Sequence, residues 1–148
     1  MRKCKTFWGE AMKSNKKTGS DFEQDVCQLL ADQGYWVHNF ANRANGQPVD
    51  IIAARMGRAT IIDAKVCSKG YFETRRLEEN QILSMRKWFA CKNFDAFLFF
   101  LLPDESIYSL WIKNDFALNE LLDKKRLTET EIRELYCWRK GGGNNGKK

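Results

Sequence analysis

The stretch from Asp95 to Leu102 constrains this chain more than any other. Ala96-Phe97-Leu98-Phe99-Phe100-Leu101-Leu102 shows no alternation of apolar and polar residues, so as a strand it must be covered on both faces. It is far too short to cross a bilayer. Covering both faces requires helices above and below the sheet, and helical patterns flank the run. Leu77 to Lys92 places Leu77, Met85, Trp88 and Phe89 on one helical face. Ser20 to Gln33 does the same with Phe22, Val26, Leu29 and Leu30. Ser20 and Glu23 have the spacing of a capping box there, and Gly34 closes the end.

The remaining elements fall around these. Tyr35 to Phe40 is strand-like, and a polar loop runs from Ala41 to Pro48. Val49–Arg55 and Ala59–Cys67 have high strand propensity and join around Met56-Gly57-Arg58, which predicts a hairpin. Pro103-Asp104-Glu105 turns the chain into Ile107–Ile112, an expected antiparallel neighbour of the apolar strand. Short helices are expected near Phe116–Leu122 and over Glu129–Trp138, the second capped by Thr128 with Glu131 three residues on. The helix between Ala59–Cys67 and Asp95–Leu102 is long enough for a crossover between parallel strands. The expectation is a single α/β domain with a mixed central sheet flanked by helices. The length of 148 residues suits one core.

Composition excludes several classes. With 43% hydrophobic residues the chain can bury enough surface to order itself. Residues 1–20 lack the apolar core of a signal peptide, so a cytoplasmic setting is expected. Cys4, Cys27, Cys67, Cys91 and Cys137 form no CxxC pair, and His38 is the only histidine, a spacing that offers no zinc site. His38 also has no nucleophile pattern around it, which argues against a Ser-His-Asp or Cys-His hydrolase. Any catalytic metal must then be a hard ion held by carboxylates. The net charge of +6 is uneven, being +5 over residues 1–19, −3 over 20–138 and +4 over 139–148. That divides the chain into a basic N-terminal arm (1–18), the α/β domain (19–138) and a disordered, basic, Gly-rich tail (139–148). Basic arms on a mildly acidic body suit a grip on a polyanion, although solvated termini fit the charge alone equally well.

Five polar positions stand where packing prefers apolar side chains. A two-residue turn at Met56-Gly57 sets Arg55 opposite Arg58 and, counting back, Asp50 opposite Asp63. Lys65 shares the face of Asp63. Opposed carboxylates repel unless a cation lies between them. Asp63 and Lys65 sit within Ile61-Ile62-Asp63-Ala64-Lys65-Val66, whose apolar character suggests a buried strand, and buried charges need partners. Glu23 lies at the edge of the apolar face of its helix, where a capping role competes with a functional one. Gln81 lies among Leu77, Met85 and Trp88, and a buried amide must find hydrogen-bond partners.

The segments Gly19-Ser20-Asp21-Phe22-Glu23, Gln47-Pro48-Val49-Asp50-Ile51-Ile52-Ala53, Ile62-Asp63-Ala64-Lys65 and Leu77-Glu78-Glu79-Asn80-Gln81 occur on helix, strand, strand and helix in that order. This resembles the PD-(D/E)XK nuclease superfamily over roughly Gly19 to Leu102, and within it the Holliday junction resolvases of the archaeal and bacterial RecU types. Pro48-Val49-Asp50 and Asp63 depart from the commoner forms of the motif, and the loop before Asp50 leaves no room for a long RecU-type stalk.

The resemblance implies a Mg-dependent endonuclease, with Mn as a substitute ion, acting on branched DNA as a homodimer in a bacterial or phage-infected cell. It implies that Asp50, Asp63 and the Ala64 carbonyl hold the ion, with Glu23 holding a metal-bound water or a second ion. Lys65 would orient water or neutralise charge, and Gln81 would position Lys65 or the nucleophile. Lys13, Lys16, Lys17, Arg43, Lys69, Arg75 and Arg76 are the candidate phosphate contacts. Tyr71 and Phe72 are expected to anchor their loop. The alternatives are a nuclease of the same fold acting on flaps, nicks or duplex, and a non-catalytic nucleic-acid-binding module.

Overall fold

A computed structural model of the chain describes residues 18–40 and 48–141. Helix α1 (Gly19–Asp32) is followed by strands β1 (Trp36–Asn39), β2 (Ile51–Arg55) and β3 (Arg58–Val66). A short strand β4 (Phe72–Glu73) and a 3-10 turn (Thr74–Arg76) lead into α2 (Glu79–Ala90). Then come β5 (Ala96–Leu101), β6 (Ile107–Ile112), α3 (Asp115–Asp123), β7 (Arg126–Leu127), α4 (Glu129–Arg133) and β8 (Tyr136–Arg139). Six strands form one mixed sheet in the order β1-β2-β3-β5-β6-β8, and β4 pairs with β7 in a separate ribbon. Only β3 and β5 run parallel within the large sheet, with α2 in their connection.

The apolar run does what its pattern requires. On β5, Phe99 and Leu101 pack with Ile51, Ile62 and the α1 residues Phe22, Val26 and Leu30. Leu98 and Phe100 point the other way, into a cluster with Met85 of α2, Leu118 and Leu121 of α3, and Ile132 of α4. Each buried phenylalanine contributes about 1.5–3 kcal/mol. The sheet therefore has a core on each side, and the covered centre of β3 is where Asp63 lies.

The β2–β3 hairpin turns on Met56 (φ 53°) and Gly57 (φ 79°), both left-handed as a type I′ turn needs. Arg55 pairs with Arg58 and Ile51 with Ile62, so the next step of the register is Asp50 beside Asp63.

Two expectations need correction. Helix α1 is capped by Thr18, whose hydroxyl accepts from the Asp21 amide at 3.0 Å, and not by a Ser20–Glu23 box. The helix begins earlier than expected, which puts Ser20 inside it and releases Glu23 from capping. The helix expected over Glu129–Trp138 stops at Arg133, and Tyr136–Arg139 becomes β8. The outer edge of β6 would otherwise be unpaired. The aromatic segment closes it, with the Trp138 indole donating to Ser109 Oγ at 2.9 Å and its ring 5.3 Å from that of Phe99. The Thr128–Glu131 capping box forms as expected.

Candidate active site

Asp50 stands just before β2. Its amide donates to the Ile62 carbonyl at 3.2 Å and to Asp63 Oδ1 at 3.3 Å. Its own Oδ2 accepts from the Ala64 amide at 2.9 Å. Each aspartate thus bonds to backbone at or beside the other, and this fixes two carboxylates side by side.

Asp63 is 1% exposed. Its Oδ1 also accepts from Gln81 Nε2 at 3.4 Å, while its Oδ2 is buried and receives no hydrogen bond. Burial first, and then the charge of Asp50, push its carboxyl up to about 7 against the opposing pull of Lys65. A buried acceptor left without a donor beside a second carboxylate is an arrangement a cation would relieve.

Lys65, two residues on along β3, donates from Nζ to Gln81 Oε1 at 3.0 Å and to the Arg76 carbonyl at 3.3 Å. Gln81 lies in the first turn of α2 and is buried, as expected. Its Oε1 also accepts from the Glu78 amide at 3.0 Å. Lysine can only donate and an ionised carboxylate can only accept, so the amide orientation is fixed by its partners. Gln81 bridges Lys65 and Asp63 while capping its own helix.

Glu23 projects from α1, in the layer on the opposite side of the sheet from α2. Its carboxyl is pushed up to about 7, by burial first and then by the charge of Asp50, with Lys65 opposing. Charge therefore couples it to the cluster, whereas hydrogen bonds join the other four. The structure brings Asp50, Asp63, Lys65 and Gln81 into one network and sets Glu23 at the same end of the sheet.

The donor set fits a hard cation in kind: two adjacent carboxylates, one with an oxygen unsatisfied, and no soft ligand. Among the described residues, however, no three side chains of His, Cys, Asp or Glu are grouped tightly enough to hold a metal by themselves. Backbone oxygen and water would have to complete the shell, and the Ala64 amide already faces Asp50.

Of the candidate phosphate contacts, Lys69, Arg75 and Arg76 line one polar depression of about 350 Å³ beyond the end of β3. Arg75 pairs with Glu73 at 3.2 Å. Arg76 is partly committed to the fold, donating to the Val66 carbonyl at 2.9 Å with its guanidinium 5.6 Å from the Phe72 ring centre. Lys13, Lys16, Lys17 and Arg43 lie outside the described residues. Phe72 is wholly buried and anchors its segment, while Tyr71 is covered by the Arg126 guanidinium at 4.1 Å. The basic run Lys124-Lys125-Arg126, which the sequence reading passed over, arrives beside Arg75 through the β4–β7 pairing. Its three consecutive cations were the signal available.

A mixed sheet with helices on both faces, carrying paired carboxylates just before β2 and within β3 and a lysine two residues further along β3, has a counterpart among solved structures. The chain is similar to Hjc of Archaeoglobus fulgidus, a Holliday junction resolvase from an archaeal hyperthermophile. The TM-score is 0.58 at 15% identity, covering 80% of this chain and 95% of Hjc. No family model matches the chain, and no curated protein matches it in sequence. The likeness is one of fold.

Proposed function

We propose that this protein is a divalent-cation-dependent endonuclease that hydrolyses phosphodiester bonds in branched DNA, as a Holliday junction resolvase acting as a homodimer. One observation carries the reading. Asp63, buried at the centre of a covered sheet with an unsatisfied oxygen, is held beside Asp50 and within the same network as Lys65. A fold-only role leaves that arrangement unexplained, because packing prefers apolar side chains there. The resolvase preference comes from the likeness to Hjc.

Asp50 and Asp63 would hold a Mg or Mn ion, with the Ala64 carbonyl and Glu23 as further oxygen donors. When bound, such an ion supplies Lewis-acid polarisation of the phosphate and makes a water easier to deprotonate. The protein's own groups divide the remaining work. Lys65 has three N–H donors, two of them occupied by Gln81 and the Arg76 carbonyl. The third can reach a phosphate oxygen and offset its growing negative charge. Glu23 would hold the attacking water from the opposite layer of the sheet and is better placed for that than to act as the sole base. Gln81 keeps Lys65 and Asp63 in their relative positions.

The test is cleavage of a labelled four-way junction and a linear duplex of the same sequence, each with and without Mg. Symmetric nicking of the junction alone, and only with Mg, is expected. Equal cutting of linear duplex would leave a nuclease and remove the junction preference. A second reading, a nucleic-acid-binding module without chemistry, is favoured by the absence of a third grouped metal-binding side chain among the described residues. It requires DNA binding with no cleavage of either substrate under any ion.

A further inference from the structure

The β4–β7 ribbon lies beside the candidate active site and is absorbed by nothing described so far. Phe72 pairs with Leu127 and Glu73 with Arg126. Thr74, buried, locks the two segments together, its amide donating to the Lys125 carbonyl at 3.1 Å and its hydroxyl to the Lys124 carbonyl at 2.6 Å. With those carbonyls turned inward, Arg75, Lys124, Lys125 and Arg126 border an open cleft of about 550 Å³ between the 3-10 turn and the end of α3.

The acids present do not neutralise this band. Glu73 serves two guanidiniums at once, Arg75 at 3.2 Å and Arg126 at 3.6 Å. Glu131 takes Lys124 at 2.7 Å, and Asp123 also borders the cleft. Lys125 and Lys69 form no ion pair among the described residues. The 3-10 turn that carries Arg75 also supplies, through Arg76, the carbonyl that holds Lys65. Arg75 borders both the depression lined by Lys69 and Arg76 and the cleft lined by Lys125 and Arg126, so a polyanion lying along the first would continue onto the second.

We infer that the β4–β7 ribbon is a nucleic-acid backbone-binding surface, in which Arg75, Lys125 and Arg126 hold the phosphates of the DNA arm flanking the cleavage point. This rests on the endonuclease reading and extends it to a segment outside the carboxylate–lysine network. The surface reads charge and not sequence, since every group named is a phosphate-type contact.

The test is fluorescence anisotropy of the full chain with a labelled DNA duplex in EDTA, over a series of salt concentrations. Lys125→Ala removes an exposed side chain with no ion pair, so folding is not at risk, and Arg126→Gln is made alongside it. Each is expected to weaken binding several-fold and flatten the slope of log affinity against log salt by about 0.9, the loss of one phosphate contact. Arg126→Lys should restore most of the slope, which a role in ribbon packing alone would not do. Wild-type affinity and slope in Lys125→Ala and Arg126→Gln would remove this surface while leaving the nuclease reading in place. Tight binding of polyglutamate in preference to duplex would assign the band to an acidic protein and overturn the inference. A wild-type protein with no affinity for DNA would remove both.

Discussion

Asp50 and Asp63 are fastened together by the backbone and driven apart by charge. The Asp50 amide reaches Asp63 Oδ1 at 3.3 Å, and the Ala64 amide reaches Asp50 Oδ2 at 2.9 Å. The neighbouring charge adds to burial in pushing the Asp63 carboxyl upward. In the metal-free protein this contact opposes folding.

Replacing Asp63 by Asn should therefore separate function from stability. The Asn carbonyl can still accept from the Asp50 amide and Gln81, and its NH₂ can donate towards the Asp50 carboxylate. Asp63→Asn is expected to raise the Tm at about pH 8 without metal by about 3 °C or more, the shift of roughly 1 kcal/mol in a domain this size. It should abolish cleavage and leave DNA affinity intact. Thermal melts beside a cleavage assay check this, and a lower Tm would show that the carboxylate supports the fold.

Metal-free stability should fall as pH rises through neutrality. Glu23 and Asp63 have ordinary values of 4.5 and 3.8, and each rises to about 7 in the fold. Between about pH 4 and 7 the folded protein thus binds protons that the unfolded chain has released, so the pH derivative of its stability is negative there. Their contribution is fully present below pH 4 and is lost by the time pH passes 7. Melting in EDTA from about pH 5 to 8 should show a declining Tm, with a shallower decline in Asp63→Asn. A Tm that climbs over this range would contradict the placement of both carboxyls.

Gln81→Leu should keep the apolar contacts of the helix start while removing the bridge between Lys65 and Asp63. The expected result is a loss in kcat of about 10- to 100-fold, as for other residues that orient ligating or reacting groups, with KM little changed. Lys65→Ala should abolish cleavage outright. Steady-state kinetics on the junction separates the cases, and a raised KM at constant kcat would make Gln81 a substrate contact instead.

Much of this was legible in the sequence because each signal was local. Ala96–Leu102 announces a doubly covered strand by its lack of alternation. Met56-Gly57 sets the hairpin register by turn length, and that register places Asp50 beside Asp63. Gln81 betrays itself as an amide on an apolar face. What was not legible depends on contacts distant in sequence. Strands β4 and β7 have two residues each, too few for a pattern, and Thr74 finds Lys124 across 50 positions. Strand β8 continues a helical pattern until the open edge of β6 captures it. Thr18 takes the cap from Ser20 because the helix starts at Gly19, ahead of its first apolar contact at Phe22.

The same hairpin offers a check on the fold. Met56 is 89% exposed and holds a left-handed conformation that suits asparagine better. Met56→Asn creates the preferred Asn-Gly turn and should stabilise the protein by about 0.5–1 kcal/mol in chemical denaturation, with cleavage unchanged. Destabilisation would mean a different turn and a different register.

The most direct measurement is Mn binding followed by electron paramagnetic resonance, in wild-type protein and in Asp50→Asn and Asp63→Asn. The wild type is expected to take up the ion with loss of the free-Mn signal, and each variant to lose that uptake while staying folded. Equal uptake by all three, or none by the wild type, would contradict a cation site built on this aspartate pair.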